Sequence, residues 1–280
     1  MNIKILSDST CDLSPDLVKA HNIGIVPLTV IKNDEEFKDA VTITPDVIFN
    51  HVANGGKLCT TSANSVGEYE DHFTKYAKDY DGIIHINIGS GFSSCYQNAC
   101  LAAEDFPNVR VIDSMNLSTG QGLVVLEAVR LAKEATDLDQ LAEQLRSFTE
   151  RVEASFLLSR LDYMVKGGRC SSVVALGANL LNLKPCIEVK DGKMSVVKKY
   201  RGNFEKCLPM YVKDRLDGRE DLSDETLFIT RTPVSEESDK AVVKAVEQYG
   251  KFKNIYVTDA GCTVSCHCGP GTLGVLFVRK

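Results

Sequence analysis

Short apolar runs alternate with longer amphipathic stretches along the first half of the chain, separated by polar or glycine-rich breaks. Ile3–Leu6 reads as a strand running into SDSTCD. Ser14-Pro15-Asp16 then supplies an N-cap, a proline at the first helical position and an acid in the first turn, so a helix follows through Leu17 to Ala20. Ile25–Ile31 is the next strand and Asp34–Asp39 a charged turn. Thr44-Pro45-Asp46 repeats the helix start ahead of Ile48, Phe49 and Val52, and Asn54-Gly55-Gly56 stops that helix. Thr60, Thr61, Ser62, Asn64 and Ser65 precede a helix from about Val66, with more capping capacity than one helix end uses.

Ile83–Ile88 reads as a short buried strand, Gly89-Ser90-Gly91 breaks it, and Ser93-Ser94 stand where the helix carrying Tyr96 and Ala99 opens. Val109–Asp113 is a further strand, followed by SMNLSTGQG and a helix from about Leu117 to Ala135. Gly120 and Gly122 mark a place where other backbone approaches that helix. Leu138, Leu141, Leu145, Phe148 and Val152 recur at helical spacing, which predicts an amphipathic helix over Asp137–Val152. Strands alternating with helices predict an α/β fold with a doubly wound, mainly parallel sheet and ligands outside the carboxyl ends of its strands. Those ends are the SDST, GSGFSS and DSMNLSTG loops.

From Phe156 the texture changes, which divides the chain into domains 1–155 and 156–280. Phe156–Ser159 reads as the crossing, Arg160–Val165 as a short helix and Lys166-Gly167-Gly168-Arg169 as a turn. Ala175–Leu183 is predicted helical, ending at Lys184-Pro185. Cys186–Val189 and Met194–Val197 flank Asp191-Gly192, a hairpin signal. A helix near Glu205–Leu216, a strand at Thr226–Thr230, a helix at Ser235–Tyr249, a strand at Asn254–Thr258 and a closing strand at Leu273–Val278 complete an α+β half with a mixed sheet.

Composition narrows the function classes. The 280 residues are 44% hydrophobic, ample for a packed core, and the net charge is −6. No stripe of lysine or arginine could neutralise phosphates along a duplex, so nucleic acid is not an expected partner. MNIKILSDST does not resemble a signal peptide, and no run reaches the ~20 apolar residues of a spanning helix. The expectation is a soluble, cytoplasmic protein. Its ten cysteines are spread over a large chain and are expected to be reduced and packed as small apolar residues. Cys262, Cys266, His267 and Cys268 cluster as C-x-x-x-C-H-C, a spacing without the separated knuckles that let four ligands surround zinc.

Candidate chemistry centres on the strand-to-helix junction at GSGFSSC. The first N–H groups of a helix and its dipole stabilise an anionic oxygen, so a carboxylate or phosphate seat is one reading; a serine that merely caps its own helix is the other. The junction lacks the G-x-S-x-G elbow of serine hydrolases, the first strand lacks G-x-G-x-x-G, and no P-loop occurs. His21, His51, His72, His85 and His267 are weak base candidates. What remains is a set of hydroxyl-rich strand ends, the loop HCGPGTLG, and the loop cations Arg169 and Arg201, which together point to a protein that binds a small acid.

These motifs resemble, in order and from end to end, those of the DegV family of bacterial fatty-acid-binding proteins. The matching pieces are SDSTCDL, IVPL, TTSANS for T-S-Q-P, GSGFSSCYQNA for S-S-G-L-S-G-T-Y-x-x-A, VIDSMNLSTGQG, LDYMVKGGRCS, LKPCIEV with DGKM, and HCGPGTLGV. The resemblance implies two domains, the first also similar to dihydroxyacetone kinase domains and the second a lid. A long-chain fatty acid such as palmitate or oleate is then buried between them, with no other cofactor and no metal.

It also implies that Thr61, Ser93 and His267 bind the carboxylate, that Ser62, Gly91, Ser94 and Gly269 support them, and that Arg201 faces a partner. That partner is a fatty acid kinase, which phosphorylates the bound acid for phospholipid synthesis, so the chain is a carrier rather than an enzyme. Ligand exchange leaves room for transient contact with a membrane surface. Ala63-Asn64 stands for the usual Gln-Pro, and Ser94-Cys95 for Gly-Thr. The alternative is a phosphotransferase or hydrolase acting on a small acidic metabolite through His267, and a structural or regulatory role is a third reading.

Overall fold

The computed structural model describes residues 1–175 and 183–280. The first half runs β1 (Ile3–Asp8), a 3-10 turn (Ser9–Cys11), α1 (Pro15–Ala20), β2 (Gly24–Val26), β3 (Thr29–Lys32), β4 (Glu35–Lys38), α2 (Pro45–Ala53), β5 (Thr60–Ser62) and α3 (Val66–Ala77). It continues through β6 (Gly82–Asn87), α4 (Cys95–Ala103), β7 (Val109–Asp113), α5 (Thr119–Ala132) and α6 (Leu138–Thr149). Helix starts follow local chemistry. The Ser14 hydroxyl accepts from Leu17 N at 3.3 Å, Ser65 and Glu68 form a capping box, and Asp137 accepts from Gln140 N at 2.8 Å.

Strands β2, β1, β6 and β7 form, in that order, a parallel sheet. The order reverses between β1 and β6, and the crevice beyond their carboxyl ends is the ligand position of open α/β sheets. Every residue of β6 is buried, as a parallel sheet covered on both faces requires. Gly122 is approached by other backbone as expected, whereas Gly120 is approached by a side chain. A Cβ on Gly122 would lie 2.8 Å from the Cys11 carbonyl oxygen, and one on Gly120 would meet the Asn116 side chain.

Two expectations for this half are corrected. The strand expected over Ile25–Ile31 is two strands, because Pro27 offers no N–H to continue the ladder. Strand β3 leaves the parallel sheet and pairs antiparallel with β4 and β5 in a separate three-stranded sheet. The charged turn expected over Asp34–Asp39 is mostly β4; the turn itself is Asn33-Asp34, whose φ of 52° and 65° suit a tight hairpin. The helix expected over Asp137–Val152 ends at Thr149, and Val152 instead opens the next strand.

The second half comprises β8 (Val152–Leu158), α7 (Asp162–Gly167), α8 (Ser171–Val174), β9 (Leu183–Lys190), β10 (Lys193–Arg201), α9 (Phe204–Leu216), β11 (Leu222–Arg231), α10 (Glu236–Tyr249), β12 (Asn254–Asp259), α11 (Cys262–Cys268) and β13 (Thr272–Arg279). Its six strands form a mixed sheet in the order β10-β9-β8-β13-β11-β12. Residue 155 falls inside β8, and Phe156 is a core residue of that strand, not part of a crossing. The β9–β10 hairpin turns at Asp191-Gly192, with φ of 49° and 67°. The helix expected over Ala175–Leu183 lies outside the described residues except at its two ends. One face of the mixed sheet packs against α9 and α10 through Leu208, Tyr211, Val212, Val242 and Val246. The other shares a core with the first half through Ala154, Phe228 and Leu276.

Helix α11 fastens the two halves together. Its N-terminus rises between two buried carboxylates of the first half: Asp39 accepts from Cys262 N at 2.8 Å and Thr263 N at 3.1 Å, and Asp12 accepts from Gly261 N at 2.9 Å. Burial, and then the neighbouring Asp39 charge, push Asp12 up to about 8, against the hydrogen bonds from Ser118 and Gly261 that favour its ionised form. Above its ordinary value of 3.8 the unfolded chain has released this proton while the folded chain still holds it. The stability it contributes is therefore full below that value and is lost as pH rises through about 8. Asp12→Asn is expected to flatten the decline of the urea midpoint between about pH 5 and 8. An unchanged slope would mean that Asp12 does not titrate there.

Candidate functional site

Thr61 is the middle residue of β5, opposite Val30 of β3, and its Oγ1 is hydrogen-bonded to His267 Nε2 at 2.8 Å. His267 stands on the last turn of α11, the helix held by Asp12 and Asp39. Burial, and then the positive charge of Arg169, lower His267 to about 4, so its ring is neutral at physiological pH. Its Nδ1 is buried without a hydrogen-bond partner among the described residues. The Gly167 backbone closes over that nitrogen so tightly that a Cβ there would lie 2.6 Å away. Arg169 is exposed, donates to Gly167 O at 2.8 Å, and has no ion-pair partner among the described residues.

Ser93 lies in the turn between β6 and α4. Asp8, fully buried at the end of β1, accepts from Tyr69 OH at 2.9 Å, Asn87 Nδ2 at 3.0 Å and Ile88 N at 3.0 Å, which anchors the exit of β6. From there Gly89 N donates to Asn116 O and Phe92 N to Gly89 O, delivering Ser93 to the crevice. Ser93 Oγ accepts from Cys95 N at 3.3 Å and donates to Cys95 Sγ at 3.1 Å. Burial pushes the Cys95 thiol up to about 11, so it remains protonated. Ser94 occupies the N-cap position, but its side chain makes no cap bond.

Thr61, Ser62, Ser93, Arg169 and His267 line one cavity, about 590 Å³ with the open solvent at its mouth included. Its remaining walls are mainly apolar: Leu28, Ile88, Phe92 and Leu117 from the first half, and Met164, Met194, Val264 and Cys268 from the second. A further space of about 370 Å³ shares Leu117, Val264 and Cys268 and continues along the mixed sheet past Ala154, Phe156, Gly274 and Leu276. A third, of about 360 Å³ with open solvent included, shares Thr61, Arg169 and His267 with the first.

Gly91, Ser94, Gly269 and Arg201 do not line these cavities. A Cβ on Gly91 would lie 2.2 Å from Gly192 O, so Gly91 admits the tip of the β9–β10 hairpin, whose Met194 forms part of the wall. Gly269 ends α11 at φ 72° against the Tyr163 ring. Arg201 is exposed at the end of β10.

Of the three hydroxyl-rich loops, only GSGFSS brings a hydroxyl to the cavity lined by Thr61 and His267. Ser9 donates to Asp39, Thr10 to Gln121 and Ser118 to Asp12, while Thr119 and Thr230 are paired at 2.5 Å across the halves. The first three bonds lie within the first half and only the Thr119–Thr230 pair crosses to the second; the hydroxyl protons of Ser9, Thr10 and Ser118 are thereby committed and cannot be given to a ligand carboxylate. Met164, Met194 and Thr263 are cavity residues with no distinguishing mark in the sequence. Among the described residues no group of three or more histidine, cysteine or acidic side chains is arranged to hold a metal ion. No described helix is long and apolar enough to cross a membrane.

Residues 2–280 match the family model described as "Uncharacterised protein, DegV family". A DegV domain-containing protein of Clostridium acetobutylicum is 33% identical over 280 residues, 99% of each chain. Among solved structures, a DegV family protein from Thermus thermophilus described as fatty acid binding is 26% identical, with a TM-score of 0.90 over 100% of both chains. A stearic acid-binding protein from Eubacterium ventriosum is also 26% identical, with a TM-score of 0.85 over 99% of this chain and 98% of that one. The chain belongs to the DegV family.

Proposed function

We propose that this protein binds a long-chain fatty acid between its two halves, with the carboxylate at Thr61, Ser93 and His267 and the acyl chain in the apolar cavity. The observation that carries this reading is the placement of the Thr61 and Ser93 hydroxyls and a neutral imidazole on the wall of a mainly apolar cleft. The adjoining space of about 370 Å³ supplies apolar wall for the far end of the chain. The fatty acid binding of the solved relatives supports the same reading. The division into two domains belongs to it, with the boundary moved to the turn ahead of Val152 so that β8 stays whole.

Neutral hydroxyls hold a carboxylate without a tight ion pair, which leaves one oxygen able to attack a phosphoryl donor. In this reading a separate kinase supplies nucleotide and metal, the chain presents the acid for acyl-phosphate formation in phospholipid synthesis, and exposed Arg201 faces that kinase. A hydrolase built on Thr61 and His267 would need a third group to orient the imidazole, and Nδ1 has none among the described residues. Mass spectrometry of an organic extract of the purified, denatured protein tests the binding. A fatty acid at near-equal molar ratio, absent from a control protein purified in parallel, is the expected result; an empty extract would overturn it.

A further inference from the structure

Cys59 and Cys266 stand apart from the other cysteines. Cys11, Cys186 and Cys268 are buried thiols that burial pushes up to about 12, which leaves them unreactive. Cys59 directly precedes β5, two residues before Thr61, and Cys266 directly precedes His267 on α11. The two side chains pack in one buried cluster, and each is the main influence on the titration of the other. Both line the cavity of about 360 Å³ that also touches Thr61 and His267, and its rim carries the exposed Lys166 and Arg169. The pair is therefore within reach of a small solute, although each cysteine is largely buried.

We propose that Cys59 and Cys266 are a redox couple whose disulfide ties β5 to α11 and closes the seat between Thr61 and His267. Both thiols are free, and a disulfide holds its sulfurs about 2 Å apart, well inside non-bonded contact, so the bond draws the two elements together. The Thr61–His267 pair spans the same elements and is already at 2.8 Å, so it cannot shorten by that amount and must rearrange. Cys59 is the attacking group. The neighbouring Cys266 thiol, and to a lesser degree the charge of Lys32, hold its thiol below the ordinary value against the effect of burial, while Cys266 is raised.

With hydrogen peroxide as oxidant, the Cys59 thiolate attacks one peroxide oxygen. The O–O bond breaks, and Cys59 becomes a sulfenic acid as hydroxide leaves. Cys266 sulfur then attacks the sulfenic sulfur; the S–S bond forms, the S–O bond breaks, and the departing hydroxide takes the Cys266 proton to leave as water. The two thiols together lose two electrons to the peroxide, and a small dithiol reverses the reaction by exchange.

Only the effect on the seat rests on the fatty-acid reading; the bond itself does not. The full chain, with any copurified lipid, is treated with hydrogen peroxide and mapped by differential alkylation and peptide mass spectrometry. The expected result is a loss of two hydrogens and one cross-linked peptide joining Cys59 to Cys266, absent in Cys59→Ser and Cys266→Ser and reversed by dithiothreitol. Retained fatty acid should fall at least about tenfold in the oxidised wild type and stay unchanged in peroxide-treated Cys59→Ser.

No cross-link, or one to Cys262 instead, would overturn the couple. A cross-link with unchanged retention would overturn its action on the seat. Absence of fatty acid from the reduced chain would count against the proposed function, and the peptide map would still decide the couple.

Discussion

With Thr61 and Ser93 both replaced by alanine, the purified chain is expected to retain no fatty acid while remaining folded. Each hydroxyl lines the cavity, and hydrogen bonds to a charged group contribute about 1.5–3 kcal/mol apiece. Losing two costs about 3–6 kcal/mol, or roughly 10²–10⁴ in affinity. The fold loses less. Ser93 Oγ gives up only a 3.3 Å contact with Cys95 N and a sulfur bond, and half-buried Thr61 gives up its bond to His267 Nε2, about 1–3 kcal/mol. Retention equal to wild type, measured by mass spectrometry of the extracted lipid, would remove both residues from the site. A single Ser93→Ala should fall between the two, because Thr61 and His267 remain.

Asp39→Ala is expected to be the most damaging single change outside the apolar core. Its carboxylate is buried and accepts from Cys262 N, Thr263 N, Thr263 Oγ1 at 2.8 Å and Ser9 Oγ at 3.0 Å. Alanine leaves these buried donors unpaired and removes the negative charge from the positive end of α11, a loss of about 3 kcal/mol or more. Asparagine keeps one acceptor oxygen and should cost less. Because α11 carries His267, ligand retention should fall together with stability. The check is urea unfolding of both variants at unchanged m-value. A shift of less than about 1 kcal/mol for Asp39→Ala would show that α11 is held by its packing against Val30, Ile43 and Ile48 alone.

This cross-chain fastening explains why α11 escaped detection in the sequence. CTVSCHC is too short for its i,i+4 pairs Cys262/Cys266 and Val264/Cys268 to stand out as a period, and it has no side-chain cap of its own; Gly261 stands at its N-cap, and the caps come from Asp12 and Asp39, more than 200 residues away. The cluster Cys262, Cys266, His267 and Cys268 invited a metal reading for the same reason. In the fold, Cys262 and Cys266 pack against the small sheet, Cys268 faces the cavity wall, and His267 turns to Thr61.

What the sequence determined by itself are the features whose causes lie within a few residues. Ser14, Ser65 and Asp137 cap their own helices, Asp191-Gly192 turns its own hairpin, and alternating strands and helices specify the parallel sheet. The matching motifs singled out Thr61, Ser93 and His267, and the fold brings all three to one cavity. Tertiary structure alone decided which hydroxyls remain available. Ser9, Thr10 and Ser118 are equivalent to Ser93 as residues, but partners distant in the chain engage them. The cavity was likewise illegible. Phe92, Leu117 and Val264 carry the same apolar pattern whether they face a neighbour or a void, because burial excludes water in both cases and the pattern records only that exclusion.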